Sequence, residues 1–130
     1  MTSTTTDTRT NLGEQFLSAL GSRDFDRIET LFSDDAAFRA LTPSSVYEVS
    51  GPTESVGLLR KWMGNATEFE IVASTVEPVV DRLHVSYRIR LWENDRWSIV
   101  EQKTYCRVED DRIAAMNLVC SGFRPVDTAT

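Results

Sequence analysis

The sequence holds one histidine, two cysteines and four prolines in 130 residues. A single His leaves no paired-imidazole site, and Cys106 and Cys120 belong to no CxxC or Cys/His cluster with zinc spacing. No metal or cofactor is implied. Both cysteines stand inside apolar strand patterns, which reads as two buried free thiols rather than a disulfide, and neither has a visible base to make it a nucleophile. No apolar run approaches the roughly 20 residues of a membrane span. The opening MTSTTTDTRT lacks the hydrophobic stretch of a secretory signal, so a cytoplasmic location is the expectation. Positive charge is also scarce: 14 basic against 20 acidic residues give a formal charge of -6. General polyanion binding needs a clustered basic surface, so neither nucleic acid nor membrane is expected as a partner. Arg88, Arg90, Lys103 and Arg107 share one strand face, but Glu101 interrupts them.

What is present is one strong hairpin. Leu83 to Arg107 consists of two alternating runs around a polar turn at Asn94-Asp95. A turn centred there sets Tyr87 opposite Gln102, Val85 opposite Thr104, Ile89 opposite Val100 and Arg88 opposite Glu101. Side chains alternate across a strand and directly opposed residues share a face. One face therefore carries Leu83, Val85, Tyr87, Ile89, Leu91, Ser98, Val100, Gln102, Thr104 and Cys106, and it reads as the wall of the core. The other carries His84 and the charges, with Trp92, Trp97, Ile99 and Tyr105 among them.

The chain length suits one domain over residues 11–124, between a flexible N-terminal tail (1–10) and a C-terminal tail (125–130). Leu12, Phe16 and Leu20 recur every fourth position and predict a first helix ended at Gly21. Asp24 caps a second, striped by Phe25, Ile28, Leu31 and Phe32 and ended by Ser33-Asp34-Asp35. Short strands follow at Ala36 to Leu41 and Val46 to Val49, then a third helix capped by Thr53 with Val56, Leu59, Trp62 and Met63 on its buried side. Phe69 to Val80 is a long strand with Pro78 near its end, the hairpin comes next, and Arg112 to Phe123 is the last strand. Helices followed by consecutive antiparallel strands predict an α+β fold: a cone-shaped curved antiparallel sheet wrapped over three N-terminal helices, with an internal cavity.

This order of elements, with LFSDDAAF after the second helix, Gly51 before the third and EDDRIAAMNL entering the last strand, resembles the nuclear transport factor two-like superfamily. Its members include SnoaL-like polyketide cyclases and ketosteroid isomerases, and the resemblance spans roughly residues 11 to 124. It implies a cavity between the sheet's concave face and the helices, sheet-face dimers, and varied chemistry. The catalytic sets of the family are missing here. The ketosteroid isomerase positions align with Phe16, Ala40 and Thr104, none of which can supply the acid or base; that enzyme is the standard example of a carboxylic acid held neutral. The His-x-Asp pattern of the cyclases has no counterpart in Ala115-Met116-Asn117-Leu118, no Asp-Arg-Asp set of the epoxide hydrolases faces inward, and His84 lies on the charged face.

The inward-facing candidates for a ligand site are Phe16, Leu20, Phe38, Ala40, Trp62, Met63, Val100, Thr104, Met116, Leu118 and Cys120. Tyr87, Gln102 and Glu48 are the candidates for chemistry, Glu48 as a carboxylate at the cavity mouth beside Tyr47. Tyr87 and Gln102 either converge on a ligand in an apolar cavity or satisfy each other inside a filled core. Two functions follow. One is a cyclase, isomerase or dehydratase of secondary metabolism that folds a hydrophobic polyketide- or terpenoid-like substrate; the other is a noncatalytic ligand-binding or dimeric module. The outer aromatics Trp92, Trp97, Ile99 and Tyr105 predict a homodimer through the sheet face, unless the segment 123–126 folds back over them.

Overall fold

The computed structural model describes residues 4–126. Helix α1 (Thr4–Gly21) and helix α2 (Phe25–Thr30) precede strands β1 (Phe32–Leu41) and β2 (Val46–Ser50). Helix α3 (Pro52–Met63) then leads into β3 (Glu68–Val79), β4 (Arg82–Glu93), β5 (Arg96–Glu109), β6 (Arg112–Cys120) and β7 (Arg124–Val126). All strands belong to one sheet in the order β2-β1-β6-β5-β4-β3, with β7 beside β5. The fold is α+β, helices packed on the concave side of a curved, unclosed sheet.

The hairpin register stands as the sequence sets it: Tyr87 pairs Gln102, Val85 pairs Thr104, Ile89 pairs Val100 and Arg88 pairs Glu101. Asn94 (φ 57°) and Asp95 (φ 62°) supply the two left-handed positions of a tight turn whose twist matches its strands, and Asp110 and Asp111 repeat the device before β6. Several boundaries differ from the sequence reading. Helix α1 runs back to Thr4, through most of the stretch read as a tail, because adding a turn to an existing helix is cheap and Arg9 anchors it. The Arg9 guanidinium donates to the carbonyls of Val80 (3.0 Å) and Arg82 (3.2 Å) in the β3–β4 turn. Phe32, Asp34 and Asp35 lie in β1 rather than closing α2, which ends at Thr30. The N-cap of α3 is Gly51, at φ 86°, with Thr53 already inside the first turn.

The largest correction concerns the sheet. It is mixed, because β1 runs parallel to β6, Phe38 opposite Met116 and Ala40 opposite Leu118. Strand β6 thus joins the hairpin strands to the short pair β1–β2, and the inner faces of all five long strands close over α1 and α3. Phe16, Leu20, Phe38, Leu59, Met63, Ile89, Met116 and Leu118 are almost fully buried there. Helix α1 comes so close at Gly13 that an added Cβ would lie 2.6 Å from Val76 Cγ1. No helix among the described residues is long and apolar enough to cross a membrane.

Candidate functional site

At the base of the cone, the inner wall pairs Tyr87, Gln102 and Thr104 within itself. The Tyr87 hydroxyl donates to Gln102 Oε1 at 2.6 Å, and Gln102 Nε2 donates to Cys120 Sγ at 3.4 Å. Thr104 Oγ1 donates to the carbonyl of Val85 at 2.9 Å. Phe16 packs against the Tyr87 ring, centroids 6.1 Å apart. Burial pushes the Tyr87 phenol well above its ordinary value, and charge on Cys120 or Cys106 would push it further. It is therefore a fixed neutral donor. Burial likewise pushes the Cys106 thiol up to about 12, against a smaller opposing effect of its contact with Thr104. Both cysteines are free and buried. Where an internal cavity is expected, the base of the cone is packed with side chains, because Phe16, Phe38 and Met63 occupy the space between sheet and helices.

Two adjoining pockets open at the mouth. A pocket of about 360 Å³ is lined by Pro43, Tyr47, Trp62, Cys120, Gly122 and Phe123, with Thr42, Ser44 and Arg124 at its edge. A second, of about 510 Å³, runs under the β4–β5 turn between Lys61, Trp62, Glu93, Asn94, Arg96, Ser98, Phe123 and Pro125. Trp62 and Phe123 line both. Trp62 stands at the end of α3 and is held edge-on to Tyr47, centroids 5.6 Å apart. Gly122 (φ 83°) turns the chain out of β6 so tightly against the 42–45 loop that a Cβ would meet Pro43 Cγ at 2.8 Å. Strand β7 then pairs with β5, Pro125 opposite Ser98, and holds Phe123 over the opening. Ser98 belongs to the inner face, only 8% exposed, and its hydroxyl has no hydrogen bond among the described residues.

The model of the SnoaL-like domain matches residues 14–116. The chain belongs to the SnoaL-like family. No curated protein matches this SnoaL-like domain. Its fold is similar to that of an M. tuberculosis LEH-like epoxide hydrolase, at TM-score 0.67 and 20% identity over 89% of this chain and 84% of that one. A proposed polyketide cyclase from Xanthomonas campestris pv. campestris superposes at TM-score 0.71 and 14% identity, over 87% and 90% of the two chains. An NTF-2 like protein from Burkholderia xenovorans does so at 0.65 and 15%, over 94% and 88%.

Of the residues singled out by sequence, Trp62, Cys120 and Tyr47 line the mouth of the SnoaL-like cone. Phe16, Leu20, Phe38, Ala40, Met63, Val100, Thr104, Met116 and Leu118 are buried in the base, with Tyr87 and Gln102 beside them. Glu48 does not reach the mouth. Alternation along β2 turns Tyr47 and Val49 inward and Glu48 outward, where it meets Arg39 at 3.5 Å on the exposed face. Pro43, Ser98, Phe123 and Pro125 escape a sequence reading because the 42–45 loop, the β5 start and β7 meet only in the folded chain. The one local signal is Ser98, a small hydroxyl in an apolar row.

On the outer face, Trp92, Trp97 and Ile99 are half-buried. Trp92 and Trp97 meet edge to face at 5.4 Å, and the Arg90 guanidinium lies 4.9 Å over Trp97. Tyr105 is 46% exposed and stacks on His84. Segment 124–126 pairs along β5 in the plane of the sheet instead of folding over the aromatics. The exposed apolar row lies elsewhere: Val46, Leu41 and Val119 stand side by side on β2, β1 and β6, with Tyr105 one step away.

Proposed function

We propose that this SnoaL-like domain binds a small, largely apolar molecule at the mouth of its cone. The observation that carries this reading is Trp62, whose ring lines two adjoining pockets with Phe123 and is fixed by Tyr47. Aromatic walls around a few unused polar groups are the usual composition of a small-molecule site. The base of the cone offers no reacting group, since Tyr87, Gln102 and Thr104 are bonded to each other or to backbone. A reaction at this mouth would be of the positional kind, such as a ring closure promoted by holding one folded conformation. The polyketide cyclase among the structural relatives makes fused aromatics and polyketide-like compounds the first molecules to try.

The test is thermal shift of the purified protein against polycyclic aromatics, steroids and polyenes. A compound that raises the melting temperature should lose that effect in Trp62→Ala and keep it in Tyr87→Phe. The opposite pattern would move the site into the base of the cone; no stabilising compound at all would sink the reading.

A second reading rests on the exposed row Val46, Leu41, Val119 with Tyr105, which a second copy of the chain would cover in a homodimer. Sedimentation equilibrium of Val119→Lys against wild type decides it: the variant should be monomeric where the wild type is a dimer, and a wild-type monomer refutes it.

A further inference from the structure

The pocket under the β4–β5 turn differs from the one over Cys120 in what its polar groups leave undone. Ser98 sits at its floor, more than nine-tenths buried, with a hydroxyl that neither strand nor neighbour uses among the described residues. Arg96 and Glu93 are opposed across the hairpin on the same inner side as Ser98, yet make no ion pair, and Lys61 completes the rim. The Ser98 oxygen is not among the fully buried unpartnered side-chain atoms, so it faces the open pocket, where a ligand can reach it. Lys61 stands in the last turn of α3, where it also offsets the helix's own partial negative charge. The charges lining the pocket sum to +1, from Lys61 and Arg96 against Glu93, in a chain whose net charge is -6.

Resting on the mouth as the ligand site, we infer that its ligand is an aromatic monocarboxylic acid. The rings lie against Trp62 and Phe123, and the carboxylate reaches under the turn to accept from Ser98 Oγ and from the Arg96 guanidinium. Hydrogen bonds to an ionised acceptor are the stronger kind. Glu93 limits the pocket to a single negative charge, so a dianion such as a phosphate monoester is disfavoured.

Calorimetric titration with 2-naphthoate, its neutral methyl ester and 2-naphthyl phosphate at pH 8 tests this. The acid should bind about tenfold more tightly than the ester and the phosphate. Ser98→Ala, and separately the exposed Arg96→Gln, should each bring the acid toward the ester's affinity, while Trp62→Ala weakens acid and ester together. Equal binding of acid and ester, with both still dependent on Trp62, overturns the carboxylate and leaves the mouth as the site. Tighter binding of the phosphate overturns the single-charge limit set by Glu93. No binding of any of the three, or binding indifferent to Trp62, removes the mouth reading and the inference with it.

Discussion

The base and the mouth of the cone are built from the same kinds of residue, yet they treat polar groups in opposite ways. At the base, Tyr87, Gln102 and Thr104 each find a partner within the wall. At the mouth, Ser98, Arg96 and Lys61 find none among the described residues, and Trp62 and Phe123 keep part of their rings exposed. Polar groups that pair inside a core stabilise a single arrangement, whereas unpaired ones beside an open pocket are available to a ligand. Place in the fold, not residue type, separates structure from site in this domain.

Truncating one phenylalanine in each region gives the widest separation. Phe16→Ala should lower the unfolding free energy in urea by about 3–5 kcal/mol. Phe123→Ala, at a position 37% exposed, should cost about 1 kcal/mol or less while abolishing ligand-induced stabilisation. Comparable losses from the two would dissolve the distinction.

Alkaline pH attacks only the base. Cys106 is protonated more tightly in the folded chain, so its contribution is whole below the ordinary thiol range and is lost as pH rises toward about 12. Stability should fall by up to about 1.4 kcal/mol per pH unit across that window, with Tyr87 acting in the same direction higher up. Urea melts between pH 8 and 11 should show a shallower slope in Cys106→Ala and an unchanged one in Trp62→Ala.

A smaller effect sharpens the point within the base. Tyr87→Phe leaves Gln102 Oε1 buried without its donor and should cost about 1–3 kcal/mol. Adding Gln102→Leu should cost less than the sum of the two single changes, since the pair is then removed together. Strict additivity in that cycle would mean the bond has no energetic weight. The smallest change belongs to the mouth: Gly122→Ala, strained at φ 83° and crowding Pro43, should cost about 1 kcal/mol in thermal melts.

How much of this was legible in the sequence follows the range of each interaction. The β4–β5 register was readable because two neighbouring strands had to agree under one turn, and a slip of one residue would have sent Tyr87 and Gln102 to the outer face. That both lie in the inner wall was therefore legible, and that they bond each other was one of two alternatives left open. The parallel pairing of β1 with β6 was not legible, since nothing local in AAFRAL or AAMNLV names a distant partner. Glu48 was misplaced although alternation could have corrected it: Phe38 and Ala40 face inward, so Arg39 and the Glu48 opposite it face out. The mouth was the least legible part, because Phe123 reaches it only after Gly122 turns the chain and β7 fastens it.

The parallel contact also orders events in time. Strand β1 is made early, but the neighbour that shields one of its edges is β6, near the end of the chain. Contacts of such long separation form slowly. During synthesis β1 and β2 must wait as a short exposed pair while the β3–β4–β5 meander, whose contacts are local, assembles without them. Pulse-labelled hydrogen exchange should find amides of β4 and β5 protected before those of β1. A nascent chain stalled before Arg112 has its central hairpin but leaves the edge of β1 at Phe38 and Ala40 unpaired.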